Sequence, residues 1–578
     1  MGRKAEDPAA PQAFYTVTAE IALARHQPRV AALQYAAAAA NETDVGLLER
    51  ATQVATDTLQ PSLSEKVAAR WIDVDPKSVD AQRAAARAAL ALHKIDAAAA
   101  HYRAVLGGSP LGADAEFAAL ETYLGGNDNI FGARQLADRL ASSFPASAAA
   151  LRVQGFTSLR GDDPAAAVRS LTAALALPAA GEHEKDDRVG AALQQTLARA
   201  RILAGDVAGG FAQARQNMAR QDTPANRLEY VLLLMTARLD SAATEQLEIL
   251  ARNPEYSPVA LRLMGLIEFQ EGHFDAAGAR FAQLLRTEKY LDDAFYYLGL
   301  IADRRNDPEQ ALRLYAQVQN GENSVPALLR ASAILQTHGA AGTAEELLDR
   351  LVEDEPQRAP EILTARARMY ADAGDLRRAM TVLRQGALEY PDNVDLRYAM
   401  ASTYEEQGRV ADALHELTEL VNARPDDPAA LNALGYTLAD HSRELPRARK
   451  LIERAYAAAP NNAAILDSLG WVLFRQGQGV EAERYLRAAY ADDRGGDIAA
   501  HLGEVLWQLG RTAEAEHTWS EAAAADGGNR LLKATRQRFR SLPPPGPATR
   551  QPLPATQQTL PETQQPAPTV GQPWPVVN

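Results

Sequence analysis

The feature that narrows the folds open to this chain most is that it repeats itself. The segment from Leu261 to Leu285, slid forward, meets its own likeness: Gly265 falls on Gly299, Ala277 on Ala311 and Phe281 on Tyr315, always at the same interval. Small residues hold the first of these positions as Gly265, Gly299, Ser332, Ala367, Ala401, Gly435, Gly470 and Gly503, at intervals of 34, 33, 35, 34, 34, 35 and 33. A second small position recurs as Ala277, Ala311, Ala344, Ala379, Ala413, Ala448, Ala482 and Ala515. A fixed period of this length marks one supersecondary unit copied along the chain. Each unit is too small to hide its own apolar face and is stable only when stacked on neighbours.

The unit is a pair of helices. Between the two small positions lie breaks such as QEGHFD, RRNDPE, DAGDLR and QLGRTA, where Gly or Asp ends one helix and opens the next. Pro356, Pro391, Pro425 and Pro460 follow the second helix, where a proline fits the turn but not a helix interior. Apolar residues make up 47% of the chain and aromatics only 6%, so the core must come mainly from Ala and Leu, which favours helix over sheet. The small residues are expected where two helix axes come closest, with the Leu, Tyr or Phe one helical turn beyond Ala filling the space between units.

Gly or another small residue, then Ala, then an aromatic or Leu, then Pro, at a period of 34, resembles the tetratricopeptide repeat family. Eight units from about Val259 to Asp526 carry the pattern well. Upstream it continues more weakly, as Ala31 with Tyr35, Ala98 with Tyr102, Ala133 with Pro145, Gly155 with Ala167 and Leu171, Gly210 with Ala214, and Ala243 with Leu247. The expectation is therefore an all-α, right-handed superhelical solenoid of about fifteen antiparallel helix pairs. Its parts are a flexible linker at 1–13, degenerate repeats at 14–177, linking repeats at 188–258, the well-matched array at 259–526 and a capping helix at 527–540. Ala167 and Gly210 are 43 apart, and the excess falls in PAAGEHEKDD, 178–187, read either as a seam between subarrays or as a longer surface turn. From Ser541 to Asn578 the chain turns to Pro, Gln, Thr and Ala and is expected to be a disordered tail. Trp574 is its one large apolar group, either a docking motif or a solvated side chain.

Charge and motif content exclude several kinds of function. A net charge of −14 repels nucleic acid and anionic headgroups, so no nucleic-acid partner is expected. There is no cysteine, hence no disulfide, thiolate metal site or Cys nucleophile, and no lipid attached through Cys in the chain as given. MGRKAEDPAAPQAF has no apolar signal core, Glu6 spoils a myristoylation motif at Gly2, and no long apolar run occurs; solubility and no direct membrane insertion are expected. No Gly-Lys dipeptide exists to make a phosphate-binding loop. His415 and Glu416 open HExxE rather than a zinc-binding HExxH, and the ten histidines are scattered, with His93 and His101 read as helix surface. The chain is expected to be no enzyme and to need no cofactor or metal.

What remains is protein binding. In a stacked array the first helix of each pair lines the inner wall. Counting three before, one after and four after each small residue, that wall collects Arg262, Phe269, Tyr296, Asp303, Arg368, Tyr398 and Glu405, and further on Asn432, Tyr436, Asp467, Trp471, Phe474, Glu504 and Trp507. Aromatics and Arg among carboxylates are the residue types that anchor partner chains. The same pattern is read alternatively as inter-repeat packing for Trp471, Phe474 and Trp507. Some family members clamp a terminal carboxylate with Lys and Asn just after the small residue; here that position is Leu266, Leu300, Ala333, Arg368, Ser402, Tyr436, Trp471 and Glu504, which does not support a clamp.

The stretch Ala429 to Trp519 resembles a group of bacterial outer-membrane lipoproteins built from these repeats, among them the adaptor of a periplasmic carboxyl-terminal processing protease. The resemblance implies an adaptor that activates the protease and delivers cell-wall hydrolase substrates to it, at the periplasmic face of the outer membrane. Such proteins carry a signal peptide and a lipidated Cys, and the chain as given is expected to be a trimmed form, with residues 5–13 as a post-anchor linker. A structural scaffold of an envelope secretion or polysaccharide-export assembly is the alternative, and a cytoplasmic peptide-binding regulator a third reading.

Overall fold

The computed structural model describes residues 10–177, 183–319, 321–525 and 529–540. The tail with Trp574, residues 1–9 of the linker and 178–182 of the suspected seam lie outside them. Among the described residues there are 31 α-helices, one short 3-10 turn and no strand. They form fifteen antiparallel pairs in sequence order plus one last helix, Arg530–Arg540. Seven pairs run from Ala10 to Leu250 and eight from Ser257 to Ala525. The chain divides into two compact units, Met1–Leu90 with Ile95–Met369, and Ala91–Lys94 with Tyr370–Asn578.

Within a pair, the two small positions do different work. The second is sealed: Ala277, Ala311, Ala344, Ala379, Ala413, Ala448, Ala482 and Ala515 are all 0% exposed. Where the first is Gly, it receives a bulky side chain from the partner helix of the same pair. A Cβ on Gly265 would lie 2.9 Å from the Phe281 ring, one on Gly299 2.6 Å from Tyr315, one on Gly435 2.6 Å from Ile452 and one on Gly470 2.6 Å from Leu486. The large residue one turn beyond Ala therefore fills the inside of its own pair first, which adds to the expectation that it fills the space between units. Phe281 does both, since its other face stacks on Tyr297 of the next pair at 5.0 Å.

The turn inside each of the last eight pairs has one residue in the left-handed region. Gly272, Asn306, Gly339, Gly374, Gly408, Ser442, Gly477 and Gly510 occupy it, with φ of 52–85°. Upstream the same place is held by His26, His93, Asp162 and Arg238, residues that carry a Cβ where Gly is at no steric disadvantage. His93 is thus buried in a turn rather than on a helix surface. Asp and Asn caps then start many helices: Asp163 accepts from Ala166 N–H, Asp307 from Gln310 N–H and Asn462 from Ile465 N–H.

Two expected boundaries move. The helix Ala10–Ala24 takes in the end of the supposed linker. The helix His183–Leu203 is 21 residues long and absorbs 183–187 of the polar segment read as a loop. Glu, Lys and Asp are tolerated in a first helical turn, so the long interval between Ala167 and Gly210 is met partly by a longer helix.

Three substitutions test this account. Replacing Gly503 by Ala would put a Cβ 2.0 Å from the Trp519 indole nitrogen. It is expected to cost about 1–3 kcal/mol and to raise hydrogen exchange in the last helix, which Trp519 supports through Phe539. At the left-handed turn, Gly272→Ala should destabilise by about 1 kcal/mol and Arg238→Gly stabilise by about 0.5–1 kcal/mol, read as opposite shifts of the guanidinium midpoint.

Candidate functional site

The inner wall is best defined in the second unit, on the first helices Pro428–Asp440, Ala463–Arg475 and Gly496–Gln508. A surface helix ordinarily buries one stripe. These bury nearly every residue, Ile465 to Leu473 without a break in the second of them. Neighbouring first helices therefore close on one another, and side chains expected to face a partner face each other.

At the centre, the His501 ring lies 4.2 Å from the Trp471 ring and nearly parallel to it. Its Nδ1 is 2.9 Å from the Asp467 carboxylate. The Trp471 indole N–H donates to Asp440 Oδ1 at 3.1 Å, and the Arg475 guanidinium sits 5.4 Å over the same indole while donating to the Asp440 carbonyl at 2.8 Å. Tyr436 closes one side, its ring 5.9 Å from His501. Toward the last helix, Glu504 is ion-paired with Arg538, and Trp507 packs on Trp519 and Phe539 at 6.0 and 5.4 Å.

This setting shifts the titrating groups. Burial opposes the charge on His501, yet the nearby carboxylates of Asp467, Asp440 and Asp497 together outweigh it and lift the imidazole above its usual value. Burial pushes the Glu504 carboxyl up, against the pull of Arg538, and pushes Asp497 up against the hydrogen bond from Asn529. Burial also holds the Tyr436 and Tyr398 hydroxyls protonated.

The fourteen wall residues accordingly divide. Arg262, Asn432, Tyr436, Asp467, Trp471, Glu504 and Trp507 are buried, and for them packing, not display, is what the structure shows. Arg262 is ion-paired with Asp293 and lies 5.2 Å over Tyr290. Phe269, Tyr296, Asp303, Tyr398, Glu405 and Phe474 are half-buried, and Arg368 alone is exposed. Phe269 and Tyr296 both touch Tyr297, while Asp303 pairs with Arg330 and Glu405 with His441 at 3.6 Å. The Tyr398 hydroxyl and the Asn432 side-chain oxygen are buried without a hydrogen-bond partner.

Sequence reasoning missed His501, Asp440, Arg475 and Arg538, the groups that neutralise the wall. A signal existed: opposite charges recur about one repeat apart. Asp467 and His501 are 34 apart, Glu504 and Arg538 34, Arg83 and Glu116 33, and Arg262 and Asp293 31. Among the described residues no group of three His, Asp or Glu is placed to hold a metal, and no helix is long and apolar enough to cross a membrane.

The His501–Asp467 pair predicts a pH dependence. An imidazole whose folded pKa is raised adds stability fully present below its unfolded value, about 6.5, and lost as pH rises through the folded value. Unfolding of the second unit in urea should therefore be harder at pH 6 than at pH 8. His501→Gln is expected to flatten that difference, and an unchanged slope would show that His501 is neutral in the fold.

Comparison with known proteins places these repeats. Two family models described as tetratricopeptide repeat match residues 262–324 with 468–530, and 370–435. A TPR repeat-containing protein of Pseudomonas aeruginosa is 36% identical over 214 residues, which is 37% of this chain and 36% of that protein. Cellulose synthase 2 operon protein C of Komagataeibacter xylinus is 28% identical over 257 residues, 43% of this chain and 19% of that one. Cellulose synthase operon protein C of Xanthomonas axonopodis is 31% identical over 169 residues, 28% of this chain and 11% of that one. The chain thus spans about a third of the Pseudomonas relative and a fifth or less of the other two. Among solved structures, yeast Tom70 aligns with a TM-score of 0.33 at 12% identity, over 92% of this chain and 97% of that one. Three segments inside this series of helix pairs are thus matched as tetratricopeptide repeats.

Proposed function

We propose that this chain is a non-catalytic adaptor that binds a periplasmic carboxyl-terminal processing protease, activates it and brings cell-wall hydrolase substrates to it. Its place would be the periplasmic face of the outer membrane. Tetratricopeptide repeats act as protein-binding scaffolds, which supports the general class. The finer reading rests on the likeness of Ala429 to Trp519 to the outer-membrane adaptors.

The observation that carries binding is the pair of unmatched groups at Tyr398 and Asn432. They stand at the same place on successive first helices, one repeat apart, with a hydroxyl and an amide oxygen buried and unbonded. A buried polar group without a partner costs about 1–3 kcal/mol, a cost relieved when a ligand supplies the missing hydrogen bond. A polypeptide backbone offers N–H and C=O groups at close spacing, so an extended partner segment suits both. Bringing protease and substrate to one array would raise their effective concentration without new chemistry.

The test is a protease assay with a purified hydrolase substrate, with and without this chain. Addition of the chain should speed cleavage. Tyr398→Phe and Asn432→Ala together should weaken partner binding by about 1–3 kcal/mol, roughly 5- to 150-fold, with no loss of stability in the free chain. Full activation by the double variant would remove the wall from the mechanism.

A second reading is favoured by the two relatives named for cellulose synthase operons. In it the array is a structural scaffold of an envelope secretion or polysaccharide-export assembly. Affinity purification from envelope extract separates the two, since one expects a protease with murein hydrolases and the other synthase or secretion subunits.

A further inference from the structure

The first helix pair, Ala10–Ala24 and Pro28–Ala39, buries one side against the pair that follows, where Ala19, Ala22, Tyr35 and Ala39 join Leu48 and Trp71 in one core. Among the described residues nothing covers the other side. Phe14 is 66% exposed, Val17 59%, Ile21 47%, Val30 40% and Leu33 44%. No other described stretch of twenty shows as many large apolar side chains, so these are not the scattered singles of an ordinary surface.

Their spacing is that of a packing seam. Phe14, Val17 and Ile21 are three and four apart and continue to exposed Ala24; Val30 and Leu33 do the same and continue to exposed Ala37. Apolar residues at alternating steps of three and four form the stripe one helix presents to another. Glu20, the carboxylate beside the stripe, is already held by Tyr35 and Arg50 and points its charge away from it. The two helices side by side thus form the kind of face on which each later pair of the array stacks.

We infer that this face takes a second copy of the same chain, stacked like against like. The chemistry of the other end excludes a head-to-tail contact. There the helix Arg530–Arg540 turns Leu531, Leu532 and Phe539 inward and shows Arg530, Lys533 and Arg540 to solvent. Pressing the apolar stripe onto those cations would strip them of water with no partner charge in return. Stripe on stripe hides the apolar side chains of both copies, and the two-fold contact closes on itself. A 15-residue helix is about 22 Å long, and two of them side by side cover roughly 450 Å² per copy, the small end of specific interfaces. A contact of this size belongs with weak, reversible association.

Because the chain has no cysteine, single introduced thiols report the contact without background. Sedimentation equilibrium of the full chain from about 1 to about 100 µM should show a reversible monomer–dimer step. Val17→Glu with Ile21→Glu should raise its dissociation constant more than about tenfold. Both positions are exposed, so the fold should stand, and an unchanged circular dichroism spectrum checks it. Under mild oxidation Val17→Cys is expected to give a covalent dimer and Lys533→Cys to give none. A mixture of the two variants that crosslinks Val17→Cys to Lys533→Cys would mean head-to-tail stacking and overturn the inference. So would a wild-type chain that stays monomeric at the highest concentration with no crosslink through position 17.

Discussion

In five of the last eight pairs a glycine on the first helix lies against a bulky side chain on the second, and this close contact sets how the two helices cross. Gly265 meets Phe281, Gly299 meets Tyr315, Gly470 meets Leu486 and Gly503 meets Trp519, always on the second helix of the same pair. No Cβ fits in the gap, so the axes can approach as far as the ring or branched side chain allows and no closer. With the second small position sealed beside it, each pair has one geometry. Repeating that geometry leaves little freedom in how the next pair must stack, and the regular intervals along the chain follow.

The same stacking determines what happens to charge. A residue on one first helix lies beside its counterpart one repeat later, so acid and base separated by roughly one period become neighbours, as in Asp303 with Arg330 or Glu405 with His441. Where first helices close up, as from Asn432 to Trp507, these pairs are taken out of water together with the aromatics between them. An ion pair there is stabilising only because its partners are in place; removing one would leave the other buried and charged. The wall near the second unit's end is therefore an interior, and Tyr398, Glu405 and Phe474 beside it stay half-buried.

The ends of the array obey a different rule from its middle. An interior pair has a neighbour on both sides, whereas a terminal pair must carry a polar outer face or remain apolar and seek cover. The helix Arg530–Arg540 takes the first course, with basic side chains outward and Phe539 against Trp519. In the first described pair, Ala10–Ala39, Phe14, Val17, Ile21, Val30 and Leu33 are exposed among the described residues.

The amino-acid order alone was enough to determine helix pairs, their number and the positions of closest approach, because those depend on side-chain size and on contacts inside one repeat or between it and the next. Ala277 through Ala515 are assignable to the core from the pattern alone, and so are the turns at Gly272 and Gly374. The pattern left open whether Trp471 and Trp507 pack or face a partner, and only the structure turns them inward onto His501 and Trp519, since a Trp on a first helix satisfies the same period whether the next helix stands off or closes in. Nor could it place the start of the helix His183–Leu203, whose charged first turns suit loop and helix alike. Those points come from the folded chain, because exposure is a property of the distance between neighbouring repeats, and that distance is set by packing summed over many side chains rather than by any one of them.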